Sequence, residues 1–113
     1  MTSAEKRNHY RIQYPENDCP SLMIDGHHYR VVDLSEKGIM FVASNFKDFP
    51  PEKEITGSVT FQDNESFLVR AAVQRNTKEN ISVVLIKPLP LRKIMAEQRY
   101  LITKYPGMKV KKA

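Results

Sequence analysis

The sequence predicts a mainly β domain: a six-stranded antiparallel β-barrel of the split-barrel type, followed by a C-terminal α-helix. Three observations carry this. Short runs between Ser21 and Leu85 alternate apolar and polar residues, glycine- and asparagine-bearing turns separate them, and beyond Pro88 and Pro90 the apolar spacing changes from two to three-four. At 113 residues the chain is one domain, long enough to bury a core without metal or disulfide support.

Residues 1–20 show little apolar periodicity, and Pro15 and Pro20 discourage a helix, so they read as a flexible ligand-binding arm. Residues 21–105 form the barrel plus helix, and 106–113 a basic tail. Ser21 to Ile24 is the first strand, and Asp25-Gly26 signals a two-residue hairpin into a strand from His27 to about Leu34. Gly38 is expected to permit the turn into Ile39–Ala43, and residues 45–54 form a connecting loop with one helical turn. Val59 and Phe61 face the core from the next strand, and Asp63-Asn64 turns the chain. Phe67, Val69, Ala71 and Val73 then line one face, with Arg70 and Gln74 pointing away, and Ile81, Val83 and Leu85 repeat the pattern. Closure into a barrel also removes exposed sheet edges. Leu91, Ile94, Met95, Gln98, Leu101, Ile102 and Tyr105 form a helical stripe opposite Arg92, Lys93, Arg99 and Lys104. Pro106-Gly107 ends the helix, which is expected to pack on the barrel mouth.

Charge is uneven. From Lys87 onward there are eight basic residues and one acidic, a net +7; the preceding residues carry ten basic and twelve acidic, a net −2. A patch of this kind serves phosphates or acidic partners, or is a solvated helix face with a lysine tail. No run reaches membrane-spanning length and no apolar leader follows the charged start, so a cytoplasmic protein without membrane insertion is expected. Cys19, the single cysteine, excludes an internal disulfide and a cysteine-based zinc site, and reads as a packing or loop residue rather than a nucleophile. His9, His27 and His28 lack metal-ligand spacing; the adjacent pair should place one ring in solvent and the other toward the core. Neither a glycine-rich phosphate loop nor a nucleophile elbow appears, so no enzyme, metal or cofactor is expected.

Two motifs carry chemistry. Arg7-Asn8-His9-Tyr10-Arg11 presents two guanidinium forks four residues apart, and Asp33-Leu34-Ser35-Glu36-Lys37-Gly38 sets a carboxylate and a hydroxyl beside a glycine. Arginine donates two parallel hydrogen bonds to a phosphate or to guanine O6/N7, and stacks on purines. A carboxylate accepts from guanine N1–H and N2–H, donors that adenine lacks at those positions, and a serine hydroxyl serves phosphate or base. Asp/Asn-x-Ser-x-x-Gly is the sharper motif, with roughly 0.02 chance occurrences in this composition.

This pair of motifs resembles that of the PilZ domain, a bacterial receptor module for cyclic di-GMP, and the resemblance covers most of the chain. It implies that Arg7, Arg11, Asp33, Ser35 and Gly38 bind cyclic di-GMP while the arm folds over the ligand. Lys6 stands where many members have another arginine and is implied as a phosphate contact. The resemblance further implies a non-catalytic receptor that relays the signal to a protein effector in motility, adhesion, exopolysaccharide or virulence machinery. One departure is Ser82, where the last strand of many members opens with glycine.

Two rivals stand beside this reading. A PilZ-like adaptor could bind a protein partner without ligand. A small-barrel nucleic-acid-binding protein would need an exposed aromatic platform, yet Phe41, Phe61 and Phe67 occupy inward positions.

Overall fold

The computed structural model describes residues 10–107 and 111–112. Its elements are β1 (Tyr10–Gln13), β2 (Ser21–Ile24), β3 (His27–Leu34), β4 (Gly38–Val42), β5 (Glu54–Thr60), β6 (Ser66–Asn76), β7 (Asn80–Leu85), α1 (Leu91–Lys104) and β8 (Lys111–Lys112). Six strands close in the order β2-β5-β6-β7-β4-β3, with β3 paired back onto β2, and every pairing is antiparallel. The expected six-stranded barrel with one C-terminal helix is therefore the architecture observed.

Local chemistry sets the turns. Asp25 and Gly26 both have positive φ, 52° and 81°, the type I′ geometry that matches strand twist in a two-residue hairpin. At the β5–β6 turn the Asp63 carboxylate accepts from the Glu65 N–H (2.9 Å), and Asn64 takes positive φ. The connection before β5 contains a 3₁₀ turn at Phe46–Asp48. Inward residues alternate as expected, with Val31, Phe41, Val59, Ala71 and Ile81 wholly buried. Phe67 is half-buried at the start of β6, against Phe61 (5.9 Å between centroids).

The barrel has two different ends. Tyr29, Phe41 and Phe49 pack mutually at one, with centroids 5.2–5.5 Å apart. Helix α1 covers the other, burying Ile94 and Leu101 above the β5–β6 turn and the loop after β1. Polar groups hold it there as much as apolar ones. Lys93, expected on the outer face, is 2% exposed: its ammonium meets Asp63 (2.7 Å), Glu65 (3.1 Å) and Glu97 (3.8 Å) and lies over the Phe61 ring. Stripe residues Leu91 and Ile102 are exposed instead. Periodicity ranks lysine as polar, but three carboxylates make its burial tolerable.

Other expectations change as well. The arm expected over residues 1–20 does not extend that far. Ile12 pairs with Leu34 in β1–β3, Ile12, Tyr14 and Pro20 are buried, and Asp18 in a 3₁₀ turn is buried too. Alternation was invisible because only four residues of β1 are strand; residues 1–9 lie outside the described part. In the tail, Lys111 and Lys112 pair with Arg11 and Tyr10 along β1. His27 and His28 are both exposed: His28 faces outward, and His27, on the inward parity, sits at the open end of the strand beside Tyr29. Gly38 does not need glycine's conformational freedom: its φ is not positive, and it opens β4 opposite Val84. The glycine that cannot be replaced by reason of space is Gly57, where an added Cβ would come 2.2 Å from the Met23 carbonyl oxygen.

Candidate functional site

The motif residues converge through two β-bulges. Tyr29 and Val31 face inward on β3, an irregularity between Val31 and Asp33 shifts the parity, and Leu34 is then inward. Asp33 consequently lies on the outer face. On β1, inward Ile12 leaves Arg11 outward beside it. A second bulge, between Val73 and Arg75 on β6, turns Arg75 out of the register that would have buried it. Consecutive pairings then align one outer row across five strands: Gln13, Asp33, Met40, Ser82 and Arg75.

Arg11 grips Asp33 with both arms of its guanidinium fork. Nε donates to Oδ1 at 3.2 Å and Nη2 to Oδ2, while the carboxylate is nearly covered, its side chain 10% exposed. The hydrogen bond to Asp33 and its charge hold the Arg11 pKa above its usual value, so the guanidinium is fully charged. The Ser35 N–H donates to the Gly38 carbonyl (2.9 Å), placing the serine hydroxyl over the bare Cα of Gly38. An added Cβ there would stand 3.6 Å from the Ser35 hydroxyl and 3.4 Å from the Val83 carbonyl. Arg11, Asp33, Ser35 and Gly38, with Gln74, Arg75 and Ser82, line a cleft of ≈ 220 Å³ on the outer barrel face. Arg7 and Lys6 lie outside the described residues.

The sequence pattern that defines the PilZ domain matches residues 5–102. This chain belongs to the PilZ domain family. Solved structures share the fold. An uncharacterized Legionella protein superposes with TM-score 0.62 at 18% identity, over 86% of this chain and 98% of that one. The inhibitor of motility (MotI/DgrA) of Bacillus subtilis superposes with TM-score 0.62 at 10% identity, over 89% of this chain and 52% of that one. No curated protein matches in sequence.

In this PilZ domain the cleft contains a cation and an amide that sequence reasoning passed over, Arg75 and Gln74. A signal existed. Continuing the alternation Val69, Ala71, Val73 puts Arg75 toward the core, and an arginine at an inward position marks a bulge or a buried charge. Ser82, the departure from glycine, is a half-buried residue of the cleft wall. A separate cleft of ≈ 410 Å³ lies at the barrel end away from α1, beside His27, Asp48 and Lys53. Lys53 lines it, donating to the Asp48 carbonyl (2.8 Å) beside the Phe49 ring. Among the described residues no three His, Cys, Asp or Glu side chains are placed to hold a metal. The Cys19 thiol is pushed up by burial and bonds to the Pro15 carbonyl, the surroundings of a packing residue. No described helix is long and apolar enough to cross a membrane.

Proposed function

We propose that this PilZ domain is a cyclic di-GMP receptor that passes the signal to a protein partner and has no catalysis of its own. The observation that carries the reading is the Arg11–Asp33 fork at the edge of a cleft also lined by Ser35, Gly38 and Arg75. Each member of that pair holds in its partner a stand-in for a ligand group. Guanine N1–H and N2–H present the same two parallel donors to Asp33 as the guanidinium does. A phosphate, or guanine O6/N7, presents to Arg11 the acceptors that the carboxylate supplies. Ligand entry is thus an exchange of partners in which no charge is left bare, and Arg75 adds a second cation for phosphate.

On this reading the ligand draws in Arg7 and Arg11 together, with Lys6 as a phosphate contact, and the closed arm presents a new surface to the partner. Motility is one candidate output, in line with the name of the Bacillus subtilis protein of the same fold. A ligand-independent adaptor is the second reading, favoured by the fact that Arg11 and Asp33 already satisfy one another. A nucleic-acid-binding barrel has less support: among the described side chains, no phenylalanine or tyrosine of a strand is exposed.

Calorimetric titration with cyclic di-GMP tests the proposal, with GMP, cyclic di-AMP and Arg11→Ala as controls. The expected result is a Kd of about 1 μM or tighter, selective for guanine and weakened at least about tenfold in the variant. Absence of both heat and thermal stabilisation at saturating ligand would leave the adaptor reading in its place.

A further inference from the structure

We infer that the outer barrel face running from β2 across β5 and β6 to the end of β7 is a docking surface for a protein partner that presents apolar side chains within an acidic surround. Four large apolar residues stand out from this part of the barrel: Leu68 is 89% exposed, Ile86 51%, Val84 44% and Met23 41%. Pairing registers place them in one oblique stripe. Met23 and Leu68 flank Ser58 in one row, Ile86 donates its N–H to the Arg70 carbonyl in the next (2.8 Å), and Val84 pairs with Ala72 in the row after that. A single exposed leucine needs no explanation; four neighbours on one sheet face do.

Charge selects the occupant. Lys37 and Lys87 flank the β7 side and Arg75 the upper edge, and none of the three makes an ion pair among the described residues. Of the acidic groups nearby, Glu54 meets Arg70, Glu65 meets Arg92 and Lys93, and Glu36 is engaged as well, which leaves Glu52, beside Val73, as one carboxylate against three unpaired cations among the described residues. The free charge around the stripe is therefore positive. A second copy would bring like charges together, so an acidic partner fits and self-association does not. Val84 pairs directly with Gly38, so the stripe begins where the cleft ends. A ligand lying over Gly38 would alter the surface a partner meets.

The test uses the full, nucleotide-free chain, ¹⁵N-labelled and titrated with three synthetic peptides. All share one leucine pattern and carry glutamate, lysine or serine at the remaining positions. The expected result is shifts confined to the amides of Met23, Leu68, Arg70, Val84 and Ile86, with the glutamate peptide at least tenfold tighter than the lysine peptide. Leu68→Ser with Ile86→Ser should abolish them and Lys87→Glu should weaken them, with melting temperatures unchanged because all three sites are exposed. Equal affinity for the three peptides, shifts elsewhere, or concentration-dependent shifts of the stripe in the protein alone would overturn the inference. Cyclic di-GMP titration of the Leu68/Ile86 variant separates the two proposals. Retained nucleotide binding with lost peptide binding locates the fault at the stripe, and loss of both in the wild type indicts each independently.

Discussion

The Tyr14 hydroxyl donates to the Glu97 carboxylate at 2.6 Å, tying the segment just after β1 to the middle of α1. Both groups are buried, and Tyr14 also gives its N–H to the carbonyl of Val32 at the β3 bulge (3.0 Å). One residue, by its backbone and its side chain, thus joins the bulge that turns Asp33 outward, the strand that carries Arg11, and the helix. A change in how Arg11 and β1 sit has a short route to α1, through a hydrogen bond with little slack.

Removing the Tyr14 hydroxyl should cost about 1–3 kcal/mol, because a buried carboxylate loses its donor. Burial raises the Glu97 pKa above its ordinary 4.5, although Tyr14 and Lys93 pull it down, and burial also raises that of Tyr14. The sign follows: the neutral carboxyl suits the folded state, so this group's contribution is full below pH 4.5 and lost as pH rises through the folded value. Glu97→Gln removes that loss. Its stability relative to wild type should therefore rise as the pH is raised above 4.5, as read by thermal denaturation. A difference independent of pH would contradict the assignment.

At the other end of α1, Asp18 receives Tyr105, Lys104 (3.0 Å) and Tyr100 (3.3 Å). The Tyr105 hydrogen bond, then Lys104, hold its carboxyl below the ordinary 3.8. Stabilisation is present above that value and lost as pH falls through the folded one. Asp18→Asn should lower the melting point by roughly 5 °C at pH 7. The gap between the two proteins should close on acidification below pH 3.8. A gap that persists in acid would show that shape, not charge, holds the loop.

Strand alternation and the Asp-Gly turn made the barrel legible, because both follow from local backbone geometry, and the two bulges break the alternation only locally. Arg11, Asp33, Ser35 and Gly38 were legible as a set, since the spacing of the motif survives whatever the loops do. Lys93 and Arg75 were not. Each breaks the period of its own element; what settles its position is, for Lys93, partners far away in the chain, Asp63 and Glu65, and, for Arg75, the β6 bulge just before it. The four residues of β1 offered too short a window for periodicity, and Ile12 takes its burial from pairing with Leu34.

Lys93→Met keeps the length of the side chain and leaves Asp63, Glu65 and Glu97 facing one another. Burial draws the ammonium pKa down, but the Asp63 and Glu65 hydrogen bonds more than offset this and raise it. The variant should lose about 2–4 kcal/mol in denaturant unfolding, somewhat less than breaking a wholly buried pair costs, because Asp63 and Glu65 are partly exposed. Arg70→Met, at an exposed contact of 3.9 Å with Glu54, should change stability by less than about 0.5 kcal/mol. Similar losses from the two would mean that Lys93 is not buried in solution.

Gly57→Ala should be among the most damaging small substitutions in the chain. Its Cβ would meet backbone, the Met23 carbonyl at 2.2 Å, and neither β2 nor β5 can yield without opening the barrel. A loss of about 3 kcal/mol or insoluble expression is expected, and a near-native melting point would show that the two strands part more easily than their pairing implies.

Gly38→Ala is the opposite case. With 3.4 Å to the Val83 carbonyl and 3.6 Å to the Ser35 hydroxyl, a methyl group fits without strain, so stability should stay within about 0.5 kcal/mol of wild type. The methyl would nevertheless stand in the cleft, between the serine hydroxyl and anything approaching Asp33. On the receptor reading, affinity for cyclic di-GMP should therefore fall at least about tenfold while the melting point holds, which only a role in admitting ligand explains. Unchanged affinity would mean that the ligand lies elsewhere on the barrel, and a large loss of stability would mean that Gly38 serves the β4–β7 pairing instead.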